Sequence, residues 1–271
     1  MRRSEIAIIG AGPAGVACAV QCRRLGAPPL LLDRTGRAGG LIENAHRVEN
    51  YPGLEEPLPG PVFAERLRAH LARFDVSVEN ANIRRVVAGG GGFLLEGDGR
   101  EILARAVVVA TGTEPARLGV PGEEELEGVR LFYDVRTLLA RLPSPGRVVV
   151  IGGGEAACDY ALSLAGAGAR VDLVTRGPEL KARGRLEDLV RKSAAIRIQG
   201  AAVEPGPGLS RWAEADAILV AVGRRPGGLG FAPAPGLLVV GDARTGVLGQ
   251  VGMAVGDGLM AAAAAVAFVE G

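Results

Sequence analysis

The chain writes one short unit twice, 142 positions apart, so that Gly10 corresponds to Gly152. In the first copy the apolar run Ile6-Ala7-Ile8-Ile9 leads into Gly10-Ala11-Gly12-Pro13-Ala14-Gly15. An alanine-rich stretch then extends to about Arg24, and a second apolar run follows, Leu30-Leu31-Leu32-Asp33. In the second copy Val148-Val149-Val150-Ile151 leads into Gly152-Gly153-Gly154-Glu155-Ala156-Ala157, and Val171-Asp172-Leu173-Val174 is the second strand. Gly12 corresponds to Gly154, Gly15 to Ala157 and Asp33 to Thr175. Each copy reads as strand, glycine turn, helix, strand, the opening of a parallel doubly wound sheet. Few folds accept that unit twice in one chain.

The glycines in such a unit have separate physical tasks. The first permits the tight turn off the strand. The second lacks a Cβ and lets a pyrophosphate approach the backbone. The third, or a small alanine, lets helix and strand pack closely. The helix N-terminus then presents unpaired N–H groups and the positive end of its dipole. An acid at the end of the second strand suits ribose hydroxyls, and Asp33 stands at about the expected distance from Gly15. One such turn has an ordinary glycine turn as its alternative. Two copies in register predict two dinucleotide sites. A flavin and a nicotinamide exchanging a hydride are the natural pair.

Composition narrows the partners. The 271 residues favour two modest domains over one. Glycine, at 42 residues, is about twice its average usage of roughly 7%, without a Gly-X-Y period. Lys and Arg total 31 against 30 Asp and Glu, which offers no field for nucleic acid or an anionic membrane. Aromatics are only 4%, which disfavours stacking on single strands. No apolar run reaches the roughly 18 residues of a membrane span, and Ala261 to Phe268 is too short. Met1-Arg2-Arg3 before an apolar stretch imitates a leader, but the glycine turn explains that stretch better. A cytoplasmic location is expected. Cys18, Cys22 and Cys158 form no C-x-x-C pair and no zinc spacing, and His46 and His70 are the only histidines, so no metal site is expected.

Further motifs follow the same order. Gly39-Gly40, Val48-Glu49-Asn50-Tyr51-Pro52-Gly53, Ala110-Thr111-Gly112, Gly119-Val120-Pro121-Gly122, Gly241-Asp242 and Gln250-Val251 complete a series that ends in an alanine-rich helix after Gly258. Taken with the two glycine turns, this series resembles the thioredoxin reductase-like flavoproteins, the class II pyridine nucleotide-disulfide oxidoreductases, over nearly the whole chain. The resemblance implies an α/β fold of two dinucleotide-binding, Rossmann-like, three-layer domains. An FAD domain, residues 1–114 and 225–271, is split by an NAD(P) domain, residues 115–224. It implies FAD contacts at Gly10, Gly12, Pro13, Ala14, Gly15, Asp33, Arg34, Gly40, Leu41, Asn50, Ala110, Thr111, Gly112, Gly241, Asp242, Gln250, Val251 and Ala254. Of these, Asp242 takes a ribityl hydroxyl, and Gly40, Asn50, Gln250 and Val251 lie near the flavin ring. Nicotinamide contacts are implied at Gly152, Gly154, Glu155, Ala156, Arg176, Lys181 and Gly223. Asp159 matches a carboxylate that orients the nicotinamide amide.

The chain departs from the family where thioredoxin reductases carry their C-x-x-C pair. In the matching stretch, Gly128 to Arg136, Phe132 and Val135 stand at the two cysteine positions. Disulfide reduction by that route needs a thiolate, which neither residue supplies. Cys18 and Cys22, four apart on one helix, are too widely spaced for good disulfide geometry and read as packing residues, as does Cys158. The insert is also short: some 20 Gly- and Pro-rich residues after Gln199 replace a long meander, which predicts a sheet kept and a side cover lost. Gly89 to Gly92 reads as an abbreviated hairpin. Trp212 reads as packing that shortened loop, His70 as a helix surface position and His46 as a loop residue near the flavin.

Thr175 replaces an acid that would favour NADH, while Arg176 and Lys181 match two basic positions that hold the 2′-phosphate of NADPH and Gly177 replaces a third. The expected activity is an FAD-dependent NAD(P)H oxidoreductase, leaning to NADPH, that passes electrons directly to a small-molecule or small-protein acceptor. A homodimer is implied by the resemblance. Alternatives are a ferredoxin- or flavodoxin-NADP reductase-like transfer, a non-enzymatic FAD-containing redox-sensing or interaction protein, and a disulfide reductase with a displaced thiol pair.

Overall fold

Unbroken apolar runs are buried on both faces, which is what a parallel sheet covered on both sides requires. The computed structural model describes residues 2–177, 179–200, 208–246 and 249–271. In chain order the elements are β1 (Arg2–Ile9), α1 (Pro13–Arg24), β2 (Leu30–Asp33), α2 (Gly60–Arg73), β3 (Val78–Asn80), β4 (Arg85–Gly89), β5 (Gly92–Gly97), β6 (Arg100–Val109) and β7 (Thr113–Pro115). There follow α3 (Glu123–Leu126), β8 (Leu131–Phe132), α4 (Val135–Arg141), β9 (Arg147–Ile151), α5 (Glu155–Gly166), β10 (Arg170–Thr175), α6 (Arg185–Lys192), β11 (Ile196–Gly200) and β12 (Ala217–Val220). The last are β13 (Arg224–Pro226), β14 (Leu237–Val239), α7 (Asp242–Thr245) and α8 (Val251–Glu270).

The chain forms two compact units. One comprises residues 1–43, 48–114 and 225–271, the other 44–47 and 115–224. In the first, the sheet order is β3-β2-β1-β6-β5-β4, with β14 also on β6. The pairs among β3, β2, β1, β6 and β14 are parallel, while β4, β5 and β6 form an antiparallel meander. The pleat sorts side chains to opposite faces. Ile6, Ile8, Leu31 and Val108 face α1 and α8, while Ala7, Ile9, Leu32 and Val109 join a cluster with Phe93 and Leu95 of β5. The expected hairpin is present: Gly89 pairs with Gly92 across Gly90 and Gly91, both at positive φ as a two-residue hairpin turn demands.

The second unit is a five-stranded parallel sheet, β11-β10-β9-β12-β8. Val148, Val150, Leu173 and Leu219 face α4, α5 and α6, in a cluster with Leu138, Tyr160, Leu164 and Val190. Val149, Ile151, Ile218 and Val220 pack under Leu118, Val120, Leu209 and Trp212. The sheet expected of the short insert is there, and Leu209 and Trp212 pack on one of its faces. Part of the shortened loop, 201–207, lies outside the described residues.

The last helix is longer than the apolar run 261–268 suggests. α8 has 20 residues and is long and apolar enough, by length and composition, to cross a membrane. Ala254, Gly258, Ala261, Ala262 and Ala265 are buried, in the cluster that also holds Ala14 and Cys18 of α1 for all but Gly258.

Candidate functional site

In the first unit the glycine turn is held by backbone against backbone. Gly10 has φ +106°, and a Cβ there would lie 2.2 Å from Ala110 O. A Cβ on Gly15 would lie 1.8 Å from Gly10 O. A Cβ on Gly12 meets nothing within 4 Å. Gly12 caps α1, no side chain caps that helix, and Pro13 occupies its first turn. The N–H groups ahead of Val16, whose own N donates to Gly12 O, have no intrahelical partner. This is a cradle open to an anion on the side where the second glycine faces.

Other segments gather at the same turn. Ala11 N donates to Asp33 Oδ2 at 3.0 Å, and Asp33 Oδ1 accepts Thr35 N and Thr35 Oγ1. Gly39 N donates to Ala11 O, and Gly40, with φ +63°, would place a Cβ 3.0 Å from Gly12 Cα. Arg34 is exposed and Leu41 half-buried next to these positions in sequence. Ala110 N donates to Ile9 O, which sets Ala110-Thr111-Gly112 beside the turn at the ends of adjacent parallel strands. Gly241 would place a Cβ 3.0 Å from Ala14 Cβ and 3.6 Å from Ala254 Cβ, so Gly241-Asp242 abuts the start of α1. Gln250 caps α8, Val251 begins it, and Asn50 Nδ2 donates to Gln250 Oε1 at 2.7 Å. Gly10 to Gly15, Asp33, Gly40, Ala110 and Gly241 therefore meet at the carboxyl ends of this unit's parallel strands, where open α/β sheets take ligands.

The second unit repeats the geometry with differences. Gly152 has φ +144° and would place a Cβ 2.2 Å from Ala221 O. Gly154 is open, caps α5 without a side-chain partner, and accepts Cys158 N. Ala157 is fully buried, and Glu155 and Ala156 are exposed on the first turn. Thr175 is buried, and its hydroxyl donates to Gly177 O. Arg176 and Lys181 are exposed, and Lys181 N donates to Gly153 O at 2.7 Å, which draws their segment to the glycine turn. Gly223 O accepts Ala116 N. Within this unit Asp159, half-buried on α5, accepts His46 N at Oδ2 over 2.7 Å.

Three supporting arrangements escape sequence reading. Asp257 is buried and accepts Gly241 N and, through both oxygens, Arg244. It holds the Gly241-Asp242 turn, and its signal is a lone acid inside an otherwise uncharged stretch of α8. Arg68 of α2 donates to Ala38 O and to Glu43, and so braces the Gly39-Gly40 loop. The third lies next to Phe132. Glu123, 4% exposed, accepts Leu118 N, Gly119 N and the Tyr133 hydroxyl, and Arg117 lies over the Tyr133 ring. Burial pushes the Glu123 carboxyl up, but the Tyr133 hydroxyl and the backbone N–H donors outweigh it and hold the group below the usual range. Burial and the neighbouring carboxylate drive the Tyr133 phenol well up.

Phe132 and Val135 are both buried, and Phe132 pairs with Leu219 in the sheet. Cys18, Cys22 and Cys158 are fully buried thiols. Burial pushes the Cys158 thiol up to about 11. The Cys18 thiol is held up chiefly by its hydrogen bond with Cys22, and then by burial. Among the described residues, no cluster of three or more His, Cys, Asp or Glu stands ready for a metal.

A family model described as pyridine nucleotide-disulphide oxidoreductase matches residues 4–239. The chain is similar to the thioredoxin reductase of Bacillus subtilis, 34% identical over 183 residues, covering 68% of this chain and 57% of that protein. It is similar to the glucosaminate ammonia-lyase of Pseudomonas fluorescens, 33% identical over 198 residues, covering 72% and 60%. These matches thus span about three fifths of the relatives' length. The thioredoxin reductase structure from Lactococcus lactis superposes with a TM-score of 0.83 at 26% identity, covering 98% of this chain and 99% of that one.

Proposed function

The chain belongs to the pyridine nucleotide-disulphide oxidoreductase family, and we propose that it is an FAD-dependent NAD(P)H oxidoreductase working without a dithiol relay. The observation that carries this reading is the pair of glycine cradles, each with a second glycine, Gly12 or Gly154, open to at least 4 Å. Each cradle fits a pyrophosphate, because the glycine that faces it carries no side chain and no side chain caps the helix behind it. When bound, a reduced nicotinamide supplies a hydride and FAD accepts it.

The residues of this chain bind and orient. In the first unit, α1 would receive the FAD pyrophosphate, Asp33 the adenosine ribose and Asp242 the ribityl chain, and Gly40, Asn50, Gln250 and Val251 would border the flavin ring. In the second, α5 would receive the NADPH pyrophosphate, Arg176 and Lys181 the 2′-phosphate, and Asp159 would orient the nicotinamide. Phe132 and Val135 leave no thiolate at the dithiol positions, so electrons pass straight to the acceptor, a small molecule or a small redox protein. We further place the protein in the cytoplasm, as a homodimer.

Anaerobic titration of the purified protein with NADPH and with NADH tests this reading. Rapid bleaching of the visible flavin band is expected, faster with NADPH, together with failure to reduce thioredoxin or another disulfide. A bound flavin that neither nucleotide bleaches overturns the enzymatic reading in favour of a redox-sensing or interaction protein.

A further inference from the structure

The NADPH reading leaves one cation unaccounted for, since Gly177 brings no side chain to its position. After β10 the chain turns at Gly177 and returns along the glycine turn, where Lys181 N is bonded to Gly153 O. From Glu179 to Arg183 exposure alternates residue by residue: Glu179, Lys181 and Arg183 are exposed, Leu180 is 8% exposed and Ala182 0%. Leu180 and Ala182 sit in the core cluster with Ala157 and Leu173. The alternation turns positions 179, 181 and 183 outward from that core, and the chain bends at Lys181. Arg183 is therefore the next outward-facing residue after Lys181, whose N–H is held at Gly153 O beside the glycine turn.

Resting on the NADPH reading and extending it, we infer that Arg183 is the third cation for the ribose 2′-phosphate, acting with Arg176 and Lys181 in place of a side chain at 177. A guanidinium suits the task, because its planar fork matches two phosphate oxygens. Glu179 also faces outward, and its carboxylate offsets one of the two cations Arg176 and Lys181, so a further cation raises the net positive charge offered to an anion there.

Calorimetric titration of the purified full-length protein with 2′,5′-ADP and with 5′-AMP tests the inference, because neither probe is oxidised or reduced. Wild type is expected to bind 2′,5′-ADP at least about tenfold more tightly than 5′-AMP, the difference of about one charge-assisted contact or more. Arg183→Ala is expected to weaken 2′,5′-ADP about tenfold and leave 5′-AMP unchanged, and Arg183→Lys, which keeps the charge but not the fork, to recover only part of the loss. If Arg176→Ala weakens 2′,5′-ADP while Arg183→Ala does not, the inference falls and the NADPH reading stands. An equal loss of both probes in Arg183→Ala also overturns it. If wild type itself shows no preference, the NADPH reading fails, before any variant is made.

Discussion

Asn50 Nδ2 donates to Gln250 Oε1 at 2.7 Å, joining side chains 200 positions apart in sequence. Both residues are exposed, and each lies in a segment fixed by other means. Val48 and Leu58 exchange both backbone hydrogen bonds across the Asn50 loop, and Gln250 caps α8. The bond therefore contributes little to folding, about 0.5–1 kcal/mol. If the pair borders the flavin, its effect is on ligand orientation. Asn50→Ala and Gln250→Ala are each expected to shift the flavin absorbance band and weaken FAD retention several-fold, with the double variant little worse than either single. Unfolding midpoints should stay within about 0.5–1 kcal/mol of wild type. Additive losses of FAD would sink the idea that the two amides act as one unit.

Gly12 and Gly15 stand three residues apart and should respond oppositely to alanine. Gly15→Ala forces a Cβ into Gly10 O, a backbone atom, and should cost about 1–3 kcal/mol, the range for overpacking, or abolish folding. Gly12 has φ −74° and an open Cβ position, so Gly12→Ala should fold with an unchanged melting temperature. Its loss appears only with ligand, as FAD binding weakened at least tenfold. Thermal melts with and without added FAD separate the two cases. Gly154→Ala is expected to mirror Gly12→Ala for NADPH.

That contrast also marks what could be read from sequence. The glycine turns are legible because their cause is local: a strand, a positive φ and a close approach fall within six residues. The parallel strands are legible because burial on both faces leaves unbroken apolar runs. The start of α8 was hidden. Gly252, Gly256 and Gly258 each disfavour helix by about 1 kcal/mol relative to alanine, which suggests a loop up to Gly258. The helix begins at Val251 because tertiary packing outweighs propensity: a Cβ on Gly258 would lie 2.2 Å from Ala14 O of α1. Asp257 was silent for a related reason, since its partners Gly241 and Arg244 meet it only once that helix forms. The Glu123–Tyr133 bond likewise joins positions whose spacing carries no periodic signal.

The three cysteines give a direct check on the displaced-dithiol alternative. All are fully buried, and the Cys158 thiol is pushed up to about 11, so its thiolate fraction near neutral pH is minute. An aromatic disulfide reagent at pH 7.5 is expected to label none of them in the folded protein and all three after denaturation. Serine at all three positions should lower stability, because hydroxyls are less at home in an apolar core, and leave flavin reduction by NADPH unchanged. Fast labelling of two thiols in the native state would revive the disulfide reductase alternative.

Glu123 gives the fold a pH dependence. Its carboxyl is held below the ordinary carboxylate range, with burial opposing and the Tyr133 hydroxyl and backbone donors prevailing. The folded state therefore binds this proton more weakly than the unfolded chain. The stabilisation is present above the unfolded-state value of roughly 4.3 and is lost as pH falls through the folded one. Glu123→Gln keeps one acceptor but turns an amide NH2 toward a donor. It should destabilise the protein by about 2 kcal/mol at pH 7, the scale of a hydrogen bond to a charged group. Tyr133→Phe should lose less, since the backbone donors to Glu123 remain. Urea unfolding at pH 7 and at steps down to about pH 3.5 measures the gap between wild type and Glu123→Gln, which is expected to shrink as the wild-type carboxylate gains its proton. A gap that stays constant down to that pH would place the stabilisation in packing around Glu123 and deny its charge a part.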